Sequence, residues 1–340
     1  MTSFAGKNSI ENLSLILKQE NVKNALIFTA KKSYQIIKPI IEKELGGINF
    51  QYYSDFLTNP KKEEIDVAIE KLNFDFDIII AIGGGSVIDF AKAYRFYTKQ
   101  IKLIAIPTTC GTGSEATQFA VIYINGVKQS LDDSKILPEY SIVEPMFVQD
   151  NPKYLKACTS MDAYCQAIES YWAVKANSES RKYALDAIKL CKENLVSYVN
   201  SNDIKYSEKM ALASNLAGRA INISRTTAAH ALSYKITSEY NIPHGHAVAL
   251  SVADLFLANS KAVDEKVQKI IQDILDTLEL KLPVDFVNYW NNLMDEIGLE
   301  KSFKKLGIFD KGKIIKSVNL DRLNNNPKNI DEDLKNFWQL

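Results

Sequence analysis

The chain has 340 residues, of which 46% are hydrophobic and 24% are charged, with 14 glycines and 9 prolines. This is ordinary globular composition with enough length for two domains, which excludes disordered and fibrous classes. Lys plus Arg and Asp plus Glu are both 41, so the net charge is zero. A general nucleic-acid surface is therefore not expected, because phosphate backbones demand concentrated positive charge.

The N-terminus, the apolar runs and the cysteines indicate the cellular setting. The N-terminus has no basic segment followed by an apolar run, and apolar runs such as residues 78–82 are too short to span a bilayer. The four cysteines, Cys110, Cys158, Cys165 and Cys191, have no paired metal-type spacing. We expect a soluble, cytoplasmic protein with reduced thiols and no membrane partner.

The first 150 residues alternate strand-type runs with helical patterns. In chain order, the pattern predicts strands at 25–29, 50–53, 77–82, 102–106, 119–124 and 141–143, and helices at 33–45, 61–72 and 87–97. Pro107 is expected to stop the fourth strand, and Asn125-Gly126 to form a hairpin turn. Alternating strands and helices predict a parallel sheet with helices on both faces.

From about residue 151 long helical patterns dominate, predicted at 161–174, 178–200, 207–223 and 263–277. Pro145 and Pro152 bracket the change. We therefore predict a Rossmann-like α/β domain over residues 1–150 and an all-helical domain over residues 151–340. The cluster at 324–327 is interpreted as a turn before a last helix.

A glycine-rich loop follows the third strand. Gly83, Gly84, Gly85 and Ser86 join this buried strand to a helix, where a backbone without side chains can approach a phosphate and the helix N-terminus offers free N–H groups. A tight turn would also favour glycine, but three in succession exceed what a turn needs. The loop predicts nucleotide binding without naming the cofactor, because the spacing departs from the usual Rossmann pattern.

A second polar loop, residues 107–117, follows the next strand. Its hydroxyl groups and glycines stand at the carboxyl end of a parallel strand, where ligand crevices form. Alone it could be a capped loop. Beside the first loop it favours a shared dinucleotide site, with Thr108, Thr109, Thr112 and Ser114 as candidate contacts.

All three histidines, His230, His244 and His246, lie within 17 residues. Imidazole is a common transition-metal ligand and acid–base group, so this clustering predicts a metal site. Further ligands are needed, and Asp162 and Gln166 stand four apart on one face of a predicted helix. A lone histidine is usually structural, which is the simpler interpretation of His246.

Four stretches together resemble the iron-containing (group III) alcohol dehydrogenase family: GGGSVID at 83–89, PTTCGTGSEAT at 107–117, MDAYCQAIESYW at 161–172 and HALSYKITSEYNIPHG at 230–245. Weaker matches are Asn59-Pro60 and Asn326-Pro327. The resemblance implies a dehydroquinate synthase-like architecture, with a dinucleotide domain, a helical metal domain and a site between them.

The resemblance also implies roles for individual residues. A divalent metal, Fe²⁺ or Zn²⁺, would be bound by Asp162, Gln166, His230 and His244. The cofactor contacts would include Asn59, Gly84, Gly85, Ser86, Asp89, Thr108, Thr109 and Lys128.

Two positions depart from the family pattern. Gln166 stands where the family usually has histidine, and a neutral amide oxygen is a weaker ligand for iron or zinc. Tyr234 stands where members often have a histidine thought to pass protons. A phenol can carry a proton, and so could His246 or water.

The residues after the strand at 25–29 bear on the choice of cofactor. Where NAD-preferring members place an acid near the adenosine ribose, this chain has Ala30, Lys31, Lys32 and Ser33. Added cations favour a 2′-phosphate, so NADPH is expected in preference to NADH. The alternative is an ordinary exposed basic turn.

The expected reaction is reduction of an aldehyde to a primary alcohol, or its reverse, with metal polarisation of the carbonyl and hydride transfer from the nicotinamide. The residues around His230 are similar to the phosphonoacetaldehyde reductase branch, with Arg225, Thr226 and Thr227 as candidate phosphonate contacts. Arg225 could instead form an ordinary ion pair.

Two other functions remain open from the sequence. One is a lyase or cyclase related to dehydroquinate synthase, which uses the nicotinamide transiently. The other is a non-catalytic, metal-free relative, suggested by Gln166. A homo-oligomer is expected because family members commonly assemble.

Overall fold

The computed structural model describes residues 1–72, 75–316, 318 and 320–330, except for the side chains of Lys32, Ser33, Ile36 and Leu320. The chain forms two compact units, Met1–Asp150 and Asn151–Leu340. The helix predicted after residue 327 lies outside the described residues.

The first unit alternates strands and helices as predicted. Its helices are α1 (Asn12–Gln19), α2 (Lys31–Leu45), α3 (Lys62–Lys71), α4 (Gly85–Tyr97) and α5 (Met146–Gln149). Its strands are β1 (Thr2–Ala5), β2 (Asn24–Thr29), β3 (Asn49–Tyr53), β4 (Ile78–Gly83), β5 (Lys102–Pro107), β6 (Phe119–Ile124), β7 (Val127–Asp132) and β8 (Tyr140–Val143). Strand β5 includes Pro107, which was expected to end it.

Six of these strands form a sheet in the order β1-β8-β5-β4-β2-β3, and every pair in it is parallel. The predicted parallel, Rossmann-like sheet is confirmed. The chain turns one way from β2 to β3 and the other way from β4 to β5. The carboxyl ends of β2 and β4 therefore flank the point where the strand order reverses, which is where open α/β sheets bind ligands.

The sheet is buried on both faces. In β4, Ile78, Ile80 and Ile82 pack in one core cluster, whereas Ile79 and Ala81 pack in a second cluster on the other face. A strand covered on both sides has an unbroken apolar sequence. Strands β6 and β7 form a separate antiparallel hairpin whose turn residues, Asn125 and Gly126, have φ angles of 51° and 76°. The predicted hairpin turn is confirmed.

The second unit is helical as predicted. Its helices are α6 (Lys153–Trp172), α7 (Ser178–Asn200), α8 (Ile204–Ser224), α9 (Ala228–Tyr240), α10 (His244–Asn259), α11 (Glu265–Leu278), α12 (Pro283–Glu296), α13 (Lys311–Lys316) and α14 (Leu320–Leu323). Among the described residues no helix combines the length and apolar character that crossing a membrane requires.

Helix α6 begins earlier than its sequence pattern predicts. It starts at Lys153, directly after Pro152, rather than at residue 161. Lys156 is 1% exposed and its ammonium donates to Ser201 O and Asn202 Oδ1, both at 2.9 Å. From Lys156 onward α6 is largely buried, so no continuous polar stripe marks its bounds.

Residues 324–327 form the turn that the sequence predicts, but this turn is partly buried and makes side-chain hydrogen bonds. Asn325 and Asn326 are 3% and 5% exposed. Asn325 Nδ2 donates to Ser224 O at 2.8 Å and to Thr226 O at 3.0 Å, and Asn326 Nδ2 donates to Asn259 Oδ1 at 2.7 Å. The Asn325 amide anchors the segment that follows α14 onto the backbone just before α9, and the Asn326 amide anchors it onto the end of α10.

Candidate metal and cofactor sites

The two polar loops of the first unit meet at the carboxyl edge of the sheet. Strand β4 ends at Gly83 beside Pro107 of β5, so the loops that follow start side by side. A Cβ added to Gly84 would contact Thr109 Oγ1 at 3.5 Å, and one added to Gly85 would lie 2.7 Å from Thr112 Cγ2. The loops therefore pack closely because glycines leave room, and α4 begins at Gly85 with its N–H groups at this edge.

A buried polar cluster on α4 forms hydrogen bonds with the second loop. The Asp89 carboxylate accepts from Ser114 Oγ at 2.5 Å and from Val121 N at 3.0 Å. Lys92 is 0% exposed, and its ammonium donates to Thr117 Oγ1 at 3.0 Å and to Ser114 Oγ at 3.1 Å. Asp89 and Ser114 thus bond to each other inside the unit, while their role as cofactor contacts stays a prediction.

The other predicted cofactor residues surround this edge or lie farther along the unit. Ala30 precedes α2, next to β4, and exposed Lys31 forms an ion pair with Asp55 at 3.0 Å. Asn59 is exposed and has a φ of 67°. Lys128 lies on β7. Burial raises the pKa of Asp89, and the nearby charge of Lys128 opposes this effect in part. The side chain of Ser33 lies outside the described residues.

In the second unit, α6, α9 and α10 bring a carboxylate and two imidazoles together. Asp162 Oδ1 lies 3.3 Å from His230 Nε2 and 4.0 Å from His244 Nε2. Among the described residues these three offer ligand atoms that all lie within 4.8 Å of one another. Two ligands of a tetrahedral zinc ion are about 3.3 Å apart, so the spacing suits a divalent metal.

Gln166 lies on α6 one turn after Asp162 and is 4% exposed. It hydrogen-bonds to the Asp162 carboxylate. Its amide oxygen is the fourth donor that the sequence analysis predicted. One carboxylate and two imidazoles form a common donor set for zinc or iron, and the amide adds a weaker oxygen ligand.

Glu169, which the sequence analysis missed, supports this site. The residue is 0% exposed, and its Oε2 accepts the hydrogen of His230 Nδ1. Its Oε1 accepts from Thr227 Oγ1 at 2.6 Å and from Ala229 N at 2.8 Å. A carboxylate on the far nitrogen of a ligating histidine fixes the tautomer and the ring orientation.

The charges of the cluster favour deprotonated carboxylates. Burial alone would raise the pKa of Asp162, but the contacts with His230 and His244 hold it below its usual value. Burial would lower the pKa of His230, yet Glu169 and Asp162 raise it. A metal at this site would compete with a proton for His230 Nε2.

Two further residues were predicted to carry protons. Tyr234 is half-buried, and its ring stacks on that of His244 with centroids 6.1 Å apart. Burial raises the pKa of the Tyr234 phenol. His246 is 2% exposed, and its two ring nitrogens contact Tyr154 Oη at 3.1 Å and Glu300 O at 2.8 Å. The proton-carrying roles of Tyr234 and His246 both stay predictions.

Comparison with known proteins decides the family. The family model for iron-containing alcohol dehydrogenase matches residues 2–145, and that for the C-terminal part of the Fe-containing alcohol dehydrogenase family matches residues 156–334. The chain belongs to the iron-containing alcohol dehydrogenase family. The family binds NAD(P) and a divalent metal, in agreement with the predicted cofactors.

Individual relatives are oxidoreductases. The chain is 32% identical to aldehyde-alcohol dehydrogenase 2 of Entamoeba histolytica over 66% of its own length, but it spans only 29% of that protein. It is 28% identical to 4-hydroxybutyrate dehydrogenase of Clostridium kluyveri, covering 80% of each chain.

A solved structure supports the fold assignment. Sulfoacetaldehyde reductase from Bifidobacterium kashiwanohense, in complex with NAD⁺, is 26% identical and superposes with a TM-score of 0.91 over 98% of this chain and 94% of that one. The predicted fold class is confirmed. Since these relatives are dehydrogenases and reductases, the lyase and non-catalytic alternatives are not favoured.

One sequence signal could have revealed Glu169 in this family member. Asp162, Gln166 and Glu169 stand at positions i, i+4 and i+7 of one helix, so all three lie on one face. A carboxylate on the same buried face as two candidate ligands indicates a supporting role.

The three residues predicted to bind substrate make different contacts in the structure. Thr227 is 0% exposed, and its hydroxyl donates to Glu169 and accepts from Trp172 Nε1 at 2.9 Å. The Arg225 guanidinium donates to Asn222 O. The Thr226 hydroxyl accepts from Arg322, a residue that the sequence analysis did not consider. The proposed substrate roles of all three stay predictions.

Proposed function

We propose that this chain is a metal-dependent NAD(P)H oxidoreductase that reduces an aldehyde to a primary alcohol. The observation that carries the proposal is the buried trio Asp162, His230 and His244, whose ligand atoms lie within 4.8 Å of one another. In the overall reaction the aldehyde gains a hydride and a proton, and NAD(P)H becomes NAD(P)⁺.

The residues of the chain have separable roles in this proposal. The trio and Gln166 would hold the metal, which would supply Lewis-acid polarisation of the carbonyl oxygen. Glycines 84 and 85 with the adjoining threonines would bind the dinucleotide, which would supply the hydride. The Tyr234 phenol is protonated at neutral pH, as tyrosine ordinarily is, so its hydroxyl can donate the proton that the product oxygen requires.

We further propose phosphonoacetaldehyde, reduced to 2-hydroxyethylphosphonate, as the substrate. The similarity to a sulfoacetaldehyde reductase supports this choice, because both substrates are two-carbon aldehydes that carry an oxyanion group. NADPH as the preferred nucleotide, a cytoplasmic location and a homo-oligomeric assembly belong to the same proposal.

The test is steady-state oxidation of NADPH and NADH by the chain loaded with Fe²⁺ or Zn²⁺, with phosphonoacetaldehyde, sulfoacetaldehyde and uncharged C2–C4 aldehydes as substrates. We expect one mole of alcohol per mole of nucleotide oxidised and a preference for the phosphonate. Product formation without net nucleotide oxidation would instead indicate lyase or cyclase chemistry.

The metal ligands provide the control. His230→Ala and His244→Ala should abolish turnover while keeping the helical circular dichroism signal and NADPH binding, because the dinucleotide loops belong to the other unit. Full activity of the metal-stripped chain would contradict the proposed function.

A further inference from the structure

Arg322 contacts Tyr234 and Thr226, two residues close in sequence to His230, although it lies 92 positions after His230 in the chain. Its Cζ atom is 5.3 Å from the centroid of the Tyr234 ring, and its Nη1 donates to Thr226 Oγ1. Tyr234 follows His230 by one helical turn and stacks on His244. The Tyr234 ring therefore contacts both the Arg322 guanidinium and an imidazole of the trio.

The backbone around Arg322 is held in place. Asn325 is buried three residues later, and its amide donates to Ser224 O and Thr226 O, the carbonyls on either side of Arg225. Arg225 itself has a φ of 63°, which is unusual for a residue with a side chain. This clamp fixes the position of α14 relative to the start of α9.

The contacts of Arg225 make it a poorer candidate for binding the anionic group of a substrate. Arg225 directs its guanidinium back to Asn222 O at the end of α8. The Thr227 hydroxyl is 0% exposed and is engaged with Glu169 and Trp172. Of the three predicted substrate residues, Thr226 is therefore the one that meets a cation, and that cation is Arg322.

We propose that Arg322, with Thr226, determines substrate specificity by binding the anionic group of a short aldehyde whose carbonyl lies at the metal trio. This inference rests on the proposed function and names its substrate class: aldehydes with a phosphonate, sulfonate or carboxylate group. A guanidinium presents five N–H donors in a planar fork that matches two oxygens of such a group, so it can hold Thr226 and an anion together.

The first experiment compares Arg322→Met and Arg322→Lys with the wild type. It measures kcat/KM for phosphonoacetaldehyde, sulfoacetaldehyde and succinate semialdehyde, each as a ratio to kcat/KM for propanal. We expect this ratio to fall about tenfold to hundredfold in Arg322→Met, because charge-assisted hydrogen bonds to the anion are lost. Arg322→Lys keeps the charge but not the fork and should lie between. The anion with the largest fall identifies the substrate class.

Two other arginines supply the comparison. Arg219 also lies over a tyrosine ring, that of Tyr183 at 5.7 Å, so Arg219→Met removes a similar contact elsewhere in the unit. It should leave the ratio within about twofold of wild type. If Arg225→Met lowers the ratio and Arg322→Met does not, Arg225 binds the anion and the proposal is wrong.

A binding measurement keeps the inference testable apart from turnover. Calorimetric titration of the metal-loaded chain with ethylphosphonate should give binding that Arg322→Met weakens at least about tenfold and Arg219→Met does not. Equal affinity in wild type and Arg322→Met would overturn the role of Arg322, even if aldehydes are reduced. Absence of aldehyde reduction, with Arg322-dependent anion binding intact, would instead contradict the proposed function.

Discussion

Glu169 accepts the hydrogen of His230 Nδ1, and this contact decides which nitrogen of His230 faces Asp162. With Nδ1 protonated, the lone pair of neutral imidazole stands on Nε2, which lies 3.3 Å from Asp162 Oδ1. The other Glu169 oxygen accepts backbone N–H groups at the start of α9. A single buried carboxylate therefore sets both the tautomer of a metal ligand and the start of the helix that carries it.

The first prediction concerns Glu169→Gln. The amide oxygen would stay with the backbone donors, so the new NH₂ group would face His230 Nδ1 and force the hydrogen onto Nε2. We expect Zn²⁺ affinity, measured by competition with a chelator, to fall about 10- to 100-fold. Nitrogen NMR of His230 should report the changed tautomer. Glu193→Gln, at an exposed position of α7, is the matched control, and equal zinc affinity in both variants would contradict the assignment.

The second prediction concerns the contact between α6 and α10. A Cβ on Gly245 would lie 1.9 Å from Cys158 O and 2.8 Å from Asp162 Cβ, so Gly245→Ala must push α10 away. His244 is the neighbouring residue and would move away from Asp162. We expect a loss of about 1–3 kcal/mol in unfolding free energy and weaker zinc binding. At Gly47 a Cβ meets nothing within 4 Å, so Gly47→Ala should change neither. Unchanged zinc affinity in Gly245→Ala would show that the close approach does not position His244.

The sequence was sufficient where the signal is local. The apolar run of β4 and the glycines after it stand together in the chain, so the strand, the turn and the start of α4 could be predicted from neighbouring residues. The trio could be predicted because the histidines are few and their spacing resembles that of a known family.

Contacts between distant residues could not be predicted in this way. Asn325 reads as a turn residue because asparagine favours turns, and only the folded chain shows its amide bonded to Ser224 and Thr226. In the sequence Arg322 is one charged residue among many, because its contacts with Thr226 and Tyr234 form only in the folded chain. Both depend on a long-range packing arrangement that leaves no periodic pattern.

The third prediction concerns pH and the buried Lys92. Burial lowers the pKa of the ammonium from 10.5 to about 8. Between pH 8 and pH 10.5 the unfolded chain binds more protons at Lys92 than the folded chain does. The free energy of unfolding therefore rises with pH over this range and falls as the pH is lowered towards 8. The full difference is about 3 kcal/mol. The free energy of unfolding, measured with urea, should therefore increase for wild type relative to Lys92→Met as the pH rises from 8 to 10.

Lys99→Met tests whether this rise is specific. Lys99 forms an exposed ion pair with Asp75 at 2.9 Å, with 80% of its side chain accessible, so its removal should give a difference that does not change over this pH range. Parallel pH curves for wild type and Lys92→Met would show that Lys92 keeps an ordinary pKa when the chain folds.

The last prediction concerns the choice between NADPH and NADH. Lys31 stands where β2 ends, next to β4 and its glycine loop, but its ammonium pairs with Asp55 at 3.0 Å. Asp55 therefore competes with a 2′-phosphate for the charge on which the expected NADPH preference depends. Asp55→Asn should raise the ratio of kcat/KM for NADPH over NADH about two- to fivefold, and Lys31→Met should lower it similarly, because exposed pairs contribute at most about 1 kcal/mol. Both effects should shrink as salt is raised to 1 M, where screening is strong.

Lys38→Met on the same helix, which removes an exposed pair with Glu42, should leave the ratio unchanged. A ratio that is insensitive to both Lys31 and Asp55 would mean that neither side chain lies near the adenosine ribose of the bound nucleotide.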